Sequence, residues 1–449
     1  MRSGKLTCGV LSMFISLSLA GCLKVEHPSP PAKTNAEPQV GESPEAKPKP
    51  SPAPPEDVIP DTGLTKAEIE EGWIALFDGH SLYGWKPNND VNWHVEQGAI
   101  KASTGEPGLL LTTSPFADYE LRFDFKLAPE TNSGMFLRTT FDPKDPTKDC
   151  YELNLCDTKT EFPTGSLVGR SKIKEAVPAS TDWQTFQVRV EGPQFQASLN
   201  GKEVLNFKDT SENQRDIGFI GLQKNEGAVK FRNIYLKPLR MMTLFNGVDL
   251  AGWQVVPGSQ SKFEVVDNTI HVTAEKQGYL ETEDTFDNFL FQASAKSNGE
   301  ALNSGYFFRA IKGTESGMAN GYEVQIHNGF KDNDRTKPEN AGTGAIFRRT
   351  EARRVVSNDH EWFTTTLNAY GSHIAVWIDG YQVTDWEDTR KPDENPRKGL
   401  RLKGGHISLQ GHDPTTDLNF KDLKLSNLPG ESSPPAKSGE SSPPAKSGK

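Results

Sequence analysis

Two short runs bring together side chains able to exchange protons and hold hydroxyl groups: Asn303-Ser304-Gly305-Tyr306-Phe307-Phe308-Arg309, and Asn320-Gly321-Tyr322-Glu323-Val324-Gln325-Ile326-His327-Asn328-Gly329. Polar and apolar residues alternate through both, so each reads as a β-strand. The alternation puts Glu323 and Gln325 on one face and Tyr322, Val324 and Ile326 on the other. Two polar groups on one face fit either a solvated antiparallel sheet or a concave face that grips a polar ligand. Arg309 and Glu323 equally fit a cross-strand ion pair.

The elements that must position these runs are strands, and they come in two sets. Tyr119 to Leu127 alternates without a fault. Gln97-Gly98 and Asn200-Gly201 mark hairpin turns. Thr65 and Glu68 form a capping box for a short helix ending near Gly72. Leu76-Phe77-Asp78-Gly79 and Gly84-Trp85 return as Leu244-Phe245-Asn246-Gly247 and Gly252-Trp253. Asn132-Ser133-Gly134 returns as Asn303-Ser304-Gly305, Trp183 as Trp362, and Leu222-Gln223 as Leu409-Gln410. The offset grows only between motifs, so the second copy carries longer loops on the same frame. Two runs of strands with few helices predict an all-β chain of two tandem jelly-roll sandwiches, over 64–239 and 240–428. The short joint between them predicts packed domains.

The chain of 449 residues, with 40 glycines, 31 prolines and a formal net charge of -10, suits many short strands joined by turns and lacks the basic face that nucleic acid requires. Arg2 and Lys5 precede an apolar run that ends in Leu19-Ala20-Gly21-Cys22. That layout predicts a signal peptide over 1–21, and its ending resembles the bacterial lipobox, which implies lipidation of Cys22. The expected location is therefore a bacterial membrane, as a periplasmic or cell-surface lipoprotein. Residues 22–63 are Pro-, Lys-, Glu- and Ala-rich and read as a disordered tether, and 429–449 as a disordered tail. Cys150 and Cys156 lie about 20 Å apart along an extended chain, too far for a disulfide unless the chain bends. His327 and His360, with Asp332 and Asp334, match no ligand spacing and read as a solvated loop, so no metal or cofactor is expected. Arg348-Arg349 and Arg353-Arg354 fit an anionic substrate or a charged loop, the second being preferred.

Six motifs, in order and twice over, resemble the 3-keto-disaccharide hydrolase family: Leu-Phe-Asn/Asp-Gly with Gly-Trp, Asn-Ser-Gly-x-Phe-x-Arg, Gly-Tyr-Glu-x-Gln-Ile, Thr-Gly-Ala, a Trp before a strand, and Ile-x-Leu-Gln-x-His. The resemblance implies a concanavalin-like jelly roll acting on glycosides oxidised at C3, and a functional link to a sugar 3-dehydrogenase. A C3 ketone acidifies the C2 hydrogen, so a base removes it while the C1 substituent leaves; water then adds, giving net hydrolysis. On the matching positions, His412 or Glu323 is the expected base and Arg309 the group that stabilises the enolate. Asn303, Tyr322, Gln325, Gln410 and Trp362 are the expected sugar contacts. The first copy keeps Asn132, Arg138 and Glu152, has Asn154 in place of Gln325, and lacks a histidine matching His412, so it reads as a degenerate or binding domain. The alternative is a non-catalytic, lectin-like surface lipoprotein that binds a glycan.

Overall fold

The alternation of Tyr119–Leu127 is realised as a strand in which every second residue is buried, and Asn200-Gly201 turns the next hairpin with both residues at positive φ. The computed structural model describes residues 57–158, 161–175, 177–317 and 320–430. The expected signal peptide, Cys22, most of the expected tether and nearly all of the expected tail lie outside the described residues. Thr65 caps the helix Lys66–Glu71, with the reciprocal Thr65 and Glu68 bonds both formed and Gly72 closing it in the left-handed conformation. Cys150 and Cys156 are free and buried.

Four antiparallel sheets pair into two sandwiches. In the first domain an eight-stranded sheet faces a five-stranded one. The latter runs in the order Trp85–Pro87, Gly108–Thr112, Phe219–Glu226, Asn132–Thr139, Tyr151–Cys156. The second domain repeats this with Trp253–Val255, Gly278–Thr282, His406–Gly411, Ser304–Ile311 and Asn320–Ile326, against its own eight-stranded sheet. The two sheets of a domain enclose one apolar core, made in the second domain by Phe291, Tyr306, Phe308, Val324, Leu409 and Phe420 among others. The repeated motifs hold the frame. Trp253 donates its indole N–H to Leu244 O at 2.7 Å, and Trp85 donates to Leu76 O in the same way. Asn246 and Asp78 each accept backbone N–H groups of the turn that follows.

The domains are packed together. Trp377 of the second donates its indole N–H to Ala75 O at 3.1 Å, and its ring lies 6.4 Å from that of Phe116. Thr113 donates to Asp385 at 2.7 Å, and Arg353 pairs with Asp78 at 2.9 Å. The end of the expected tether joins this joint: Arg354 donates to Val58 O and Tyr235 to Thr62 O, so residues near 58 to 63 dock on both domains.

Candidate active site

The five-stranded sheet of the second domain carries polar side chains in rows across its outer face. In the first row Glu281 faces Ser408, Ser408 faces Phe307, and Phe307 faces Glu323. In the next, Tyr279 faces Gln410, and Gly305 faces Gln325. Continuing these registers one step past the strand ends brings His412, Asn303 and His327 level as a third row. Strand alternation thus collects on one face what the chain disperses over more than a hundred residues.

Glu323 sits at the edge of this face. Burial pushes its carboxyl up to about 7, with Arg397 and Arg348 opposing that shift. The carboxylate lies 4.0 Å from the Arg397 guanidinium, and that guanidinium lies over the Phe307 ring, 5.6 Å from its centroid. Gln325 is fully buried and donates to Asn303 at 2.9 Å. Tyr279 stands edge-on to Phe307, with ring centroids 5.2 Å apart. Its oxygen accepts from Gln410 at 3.1 Å and from Gln277 at 2.6 Å, which leaves its own proton for another acceptor. Burial keeps that proton on, raising the phenol to about 12. Glu281 accepts from Gln254 at 3.0 Å and from the Gly313 N–H at 3.0 Å.

The histidines occupy the far end. His412 has its Nδ1 2.7 Å from Asp413 and is part-exposed. It stands two strands and four residues from Glu323, roughly 16 Å by sheet spacings, so the two are not in contact. His327 accepts from the Gly329 N–H at Nδ1, 3.3 Å away, which puts its proton on Nε2. Burial holds its imidazole below the usual histidine range, so it is neutral near pH 7. It is therefore a polar member of the face, whereas Asp332 and Asp334 turn away to Lys337.

Three expected site residues lie elsewhere. Arg309 is fully buried and sits at φ +46, where a register shift interrupts its strand. The bulge turns its guanidinium inward, where it donates to Asp287 O, Gly371 O, Arg401 O and Asn288 Oδ1. Arg138 does the same in the first domain, at φ +47, donating to Ala117 O, Gly192 O, Arg215 O and Asp118. Gly405 lets the chain pass this bulge, since a β-carbon there would come within 2.3 Å of the Arg309 backbone. Arg309 is thus an internal staple with no ion pair to Glu323. Tyr322 points into the core, stacks on Phe308 at 5.2 Å and donates to Asp388 at 2.7 Å. Trp362 precedes a strand of the opposite sheet and carries Lys421 over its ring at 4.5 Å. Neither is placed to stack on a sugar at this face.

The first domain keeps the frame of the face and loses much of its chemistry. Phe136 and Glu152 face each other as Phe307 and Glu323 do, and Asn154 faces Gly134. Gln223 occupies the place of Gln410, and Asn132 that of Asn303. Leu111 stands where Glu281 is, Leu109 where Tyr279 is, and Cys156 where His327 is. Sequence reasoning missed Tyr279, Glu281 and His327 as face residues, and aligning the two copies at these positions is the signal that finds them.

The model of the 3-keto-alpha-glucoside-1,2-lyase-like domain family matches residues 72–237 and again 240–426. A 3-keto-disaccharide hydrolase of Bacteroides thetaiotaomicron is 32% identical over 78 residues, which are 15% of this chain and 27% of that relative. The match thus spans about a quarter of that curated protein. Among solved structures, a putative glycosyl hydrolase from Parabacteroides distasonis is 22% identical, covering 39% of this chain and 98% of its own, with a TM-score of 0.35. A carbohydrate-binding module of Bacillus subtilis is 15% identical over 34% of this chain and 95% of its own, with a TM-score of 0.28.

Proposed function

The chain belongs to the 3-keto-alpha-glucoside-1,2-lyase-like domain family, in two tandem copies, and from that premise we propose that its second domain hydrolyses 3-keto glycosides by elimination and hydration. One observation carries the reading. A carboxyl group pushed up to about 7 sits on a polar sheet face, and a proton-transfer group works best when its affinity for the proton is close to the working pH. Glu323 takes the C2 proton, and the electron pair moves toward the C3 oxygen. Tyr279, whose hydroxyl proton is free to donate, faces that developing enolate. The C1–O bond then breaks, and the departing oxygen takes a proton. That proton is the one Glu323 has just accepted, since C2 and the carbon bearing the departing oxygen are neighbours on the ring. His412, held at Nδ1 by Asp413 and roughly 16 Å away by sheet spacings, is left to bind a more distant part of the ligand. Water adds at C1 of the resulting enone, giving up a proton to Glu323, and C2 takes that solvent-derived proton. Asn303 and Gln410 hold sugar hydroxyls, Gln325 fixes Asn303 from beneath, and Arg309 has no part at the reacting atoms.

The lectin-like reading fits the first domain. There a cavity of about 510 Å³ opens on the corresponding face, lined by Asn88, Asn89, Leu109, Phe136, Lys144 and Gln223. Leucines replace Tyr279 and Glu281, so this face is suited to holding a glycan without proton transfer. The resemblance of Leu19-Ala20-Gly21-Cys22 to a lipobox supports anchoring through acylated Cys22 at a bacterial membrane, where a sugar 3-dehydrogenase would supply the keto substrate. Labelling with a fatty-acid analogue, lost in Cys22→Ala, tests the anchor.

The enzymatic reading is tested by release of reducing sugar from a 3-keto disaccharide. Turnover that Glu323→Ala abolishes, with folding intact, supports it. Turnover unchanged in Glu323→Ala, or none on any keto sugar with glycan binding retained, removes it.

A further inference from the structure

The rim beside Glu323 carries more positive charge than the chemistry above uses. Arg348, Arg349 and Arg397 line a cavity of about 200 Å³ together with Glu323, Phe347 and Pro396. Arg349 straps the rim together: it donates to the carbonyl of Arg348 at 3.1 Å and to that of Arg397 at 2.7 Å. The two remaining guanidinium groups are thereby held on one opening. Among the described residues no carboxylate pairs with Arg348, and the partner of Arg397 is Glu323 at 4.0 Å. The neighbouring acids are already taken, Asp388 by Arg390 and Glu394 by Arg401 and Lys403. In a chain of net charge -10, two guanidinium groups facing the one carboxyl of Glu323 leave a local excess of positive charge that favours an anion.

Comparison of the two domains shows that this rim is an addition. Arg348 has φ +61, and its counterpart Gly169 has φ +69. An arginine therefore stands where the backbone conformation favours glycine, which costs about 1 kcal/mol. Arg349 corresponds to Arg170, which is buried against Asp209 at 3.0 Å. In the second domain Arg390 takes over the equivalent Asp388, and Arg349 is released to strap the rim. Arg397 comes from the segment 388–405, which is longer than its first-domain counterpart 209–218. Three separate changes thus converge on one opening.

Resting on the enzymatic reading of this site, the geometry points to a substrate that bears an anionic group, a carboxylate or a sulfate ester, bound by Arg348 and Arg397 next to the reacting ring. Guanidinium groups suit such planar or tetrahedral oxyanions through paired N–H donors.

The test uses the full chain and two readouts. Calorimetric titration with methyl glucuronide, methyl glucoside 6-sulfate and methyl glucoside needs no keto chemistry. The expected result is roughly 10- to 100-fold tighter binding of one anionic sugar over the neutral one, the size of a charge-assisted contact. That preference falls with salt and is lost in Arg348→Gln and in Arg397→Gln, and the preferred ligand says which anion is read. Turnover of the 3-keto forms of the same sugars gives the second readout, as the ratio of kcat/KM between anionic and neutral substrates. Equal binding of all three sugars by the wild-type protein, or a preference untouched by both substitutions, overturns the inference. A binding preference that holds while no keto sugar is turned over supports the anionic site and removes the enzymatic reading instead.

Discussion

The Glu323 side chain leans diagonally over Gly305 of the neighbouring strand, where a β-carbon would come within 3.1 Å of Glu323 Cγ and 3.3 Å of its Oε1, and within 2.8 Å of Val324 O. The glycine is the hollow in which the candidate base rests. Gly305→Ala is therefore expected to displace the carboxylate and to lower turnover by at least about tenfold, at a stability cost of roughly 1–3 kcal/mol. Gly134→Ala, at the same place in the first domain, should leave turnover unaffected. Steady-state kinetics beside urea denaturation separates the two effects.

The same burial that tunes Glu323 opposes folding. Its folded carboxyl, at about 7 against an ordinary 4.5, binds a proton more tightly than it does in the unfolded chain. Stability from this group therefore falls as pH rises between those values, and the full penalty stands above them. Glu323→Gln is expected to be more stable than the wild type near pH 8, by roughly 1–3 kcal/mol, and equal to it near pH 4. The same substitution should reduce kcat by about 100-fold or more. Wild-type kcat/KM should rise with pH through about 7 as the base loses its proton. Denaturation curves at the two pH values and a pH–rate profile check both signs.

Arg309 and Arg138 should behave alike. Each is buried in a bulge with its donors spent on carbonyls and a neighbouring side chain, so Arg309→Ala and Arg138→Ala should each cost roughly 3–5 kcal/mol. Lysine should not rescue either, because it lacks the planar fork that reaches several acceptors. Loss of turnover in Arg309→Ala at unchanged stability would contradict the staple.

Tyr279→Phe keeps the ring packed on Phe307 and removes the proton offered to the enolate oxygen. The expected outcome is a fall in kcat of about 100-fold with little change in melting temperature, whereas a core role would move the melting temperature and spare kcat.

Much of the frame was legible in the sequence because strand alternation and turn chemistry are local. Tyr119–Leu127, the Asn200-Gly201 hairpin and the Thr65 capping box needed no tertiary information. The shared face of Glu323 and Gln325 followed from alternation, and the same parity puts Tyr322 in the core. Arg309 was misread because a bulge breaks the alternation at that residue, and nothing local announces a left-handed arginine. Trp362 was misread because its position in the repeat says nothing about which of two sheets its strand joins. Tyr279, Glu281 and the Arg348–Arg397 rim depend on which strands and loops become neighbours across the sheet. Only the contrast with Leu109, Leu111 and Gly169 of the first copy hints at them in one dimension.

The pairs Arg348-Arg349 and Arg353-Arg354 illustrate the same limit. They look alike in sequence, yet the first lines the site and the second closes the joint between domains, with Arg353 between the rings of Tyr83 and Tyr381 at 4.1 and 4.4 Å. Arg353→Ala should loosen that joint, exposing it to limited proteolysis, while leaving the site opening intact.

The most direct measurement is cleavage of a 3-keto disaccharide in D2O with the fate of the C2 hydrogen followed by NMR. Elimination and hydration require C2 to lose its proton and regain one from solvent, so the released keto sugar should carry deuterium at C2 from the first turnover, with both cleavage and exchange lost in Glu323→Gln. Cleavage that keeps the original hydrogen at C2, or that survives in Glu323→Gln, would contradict the account.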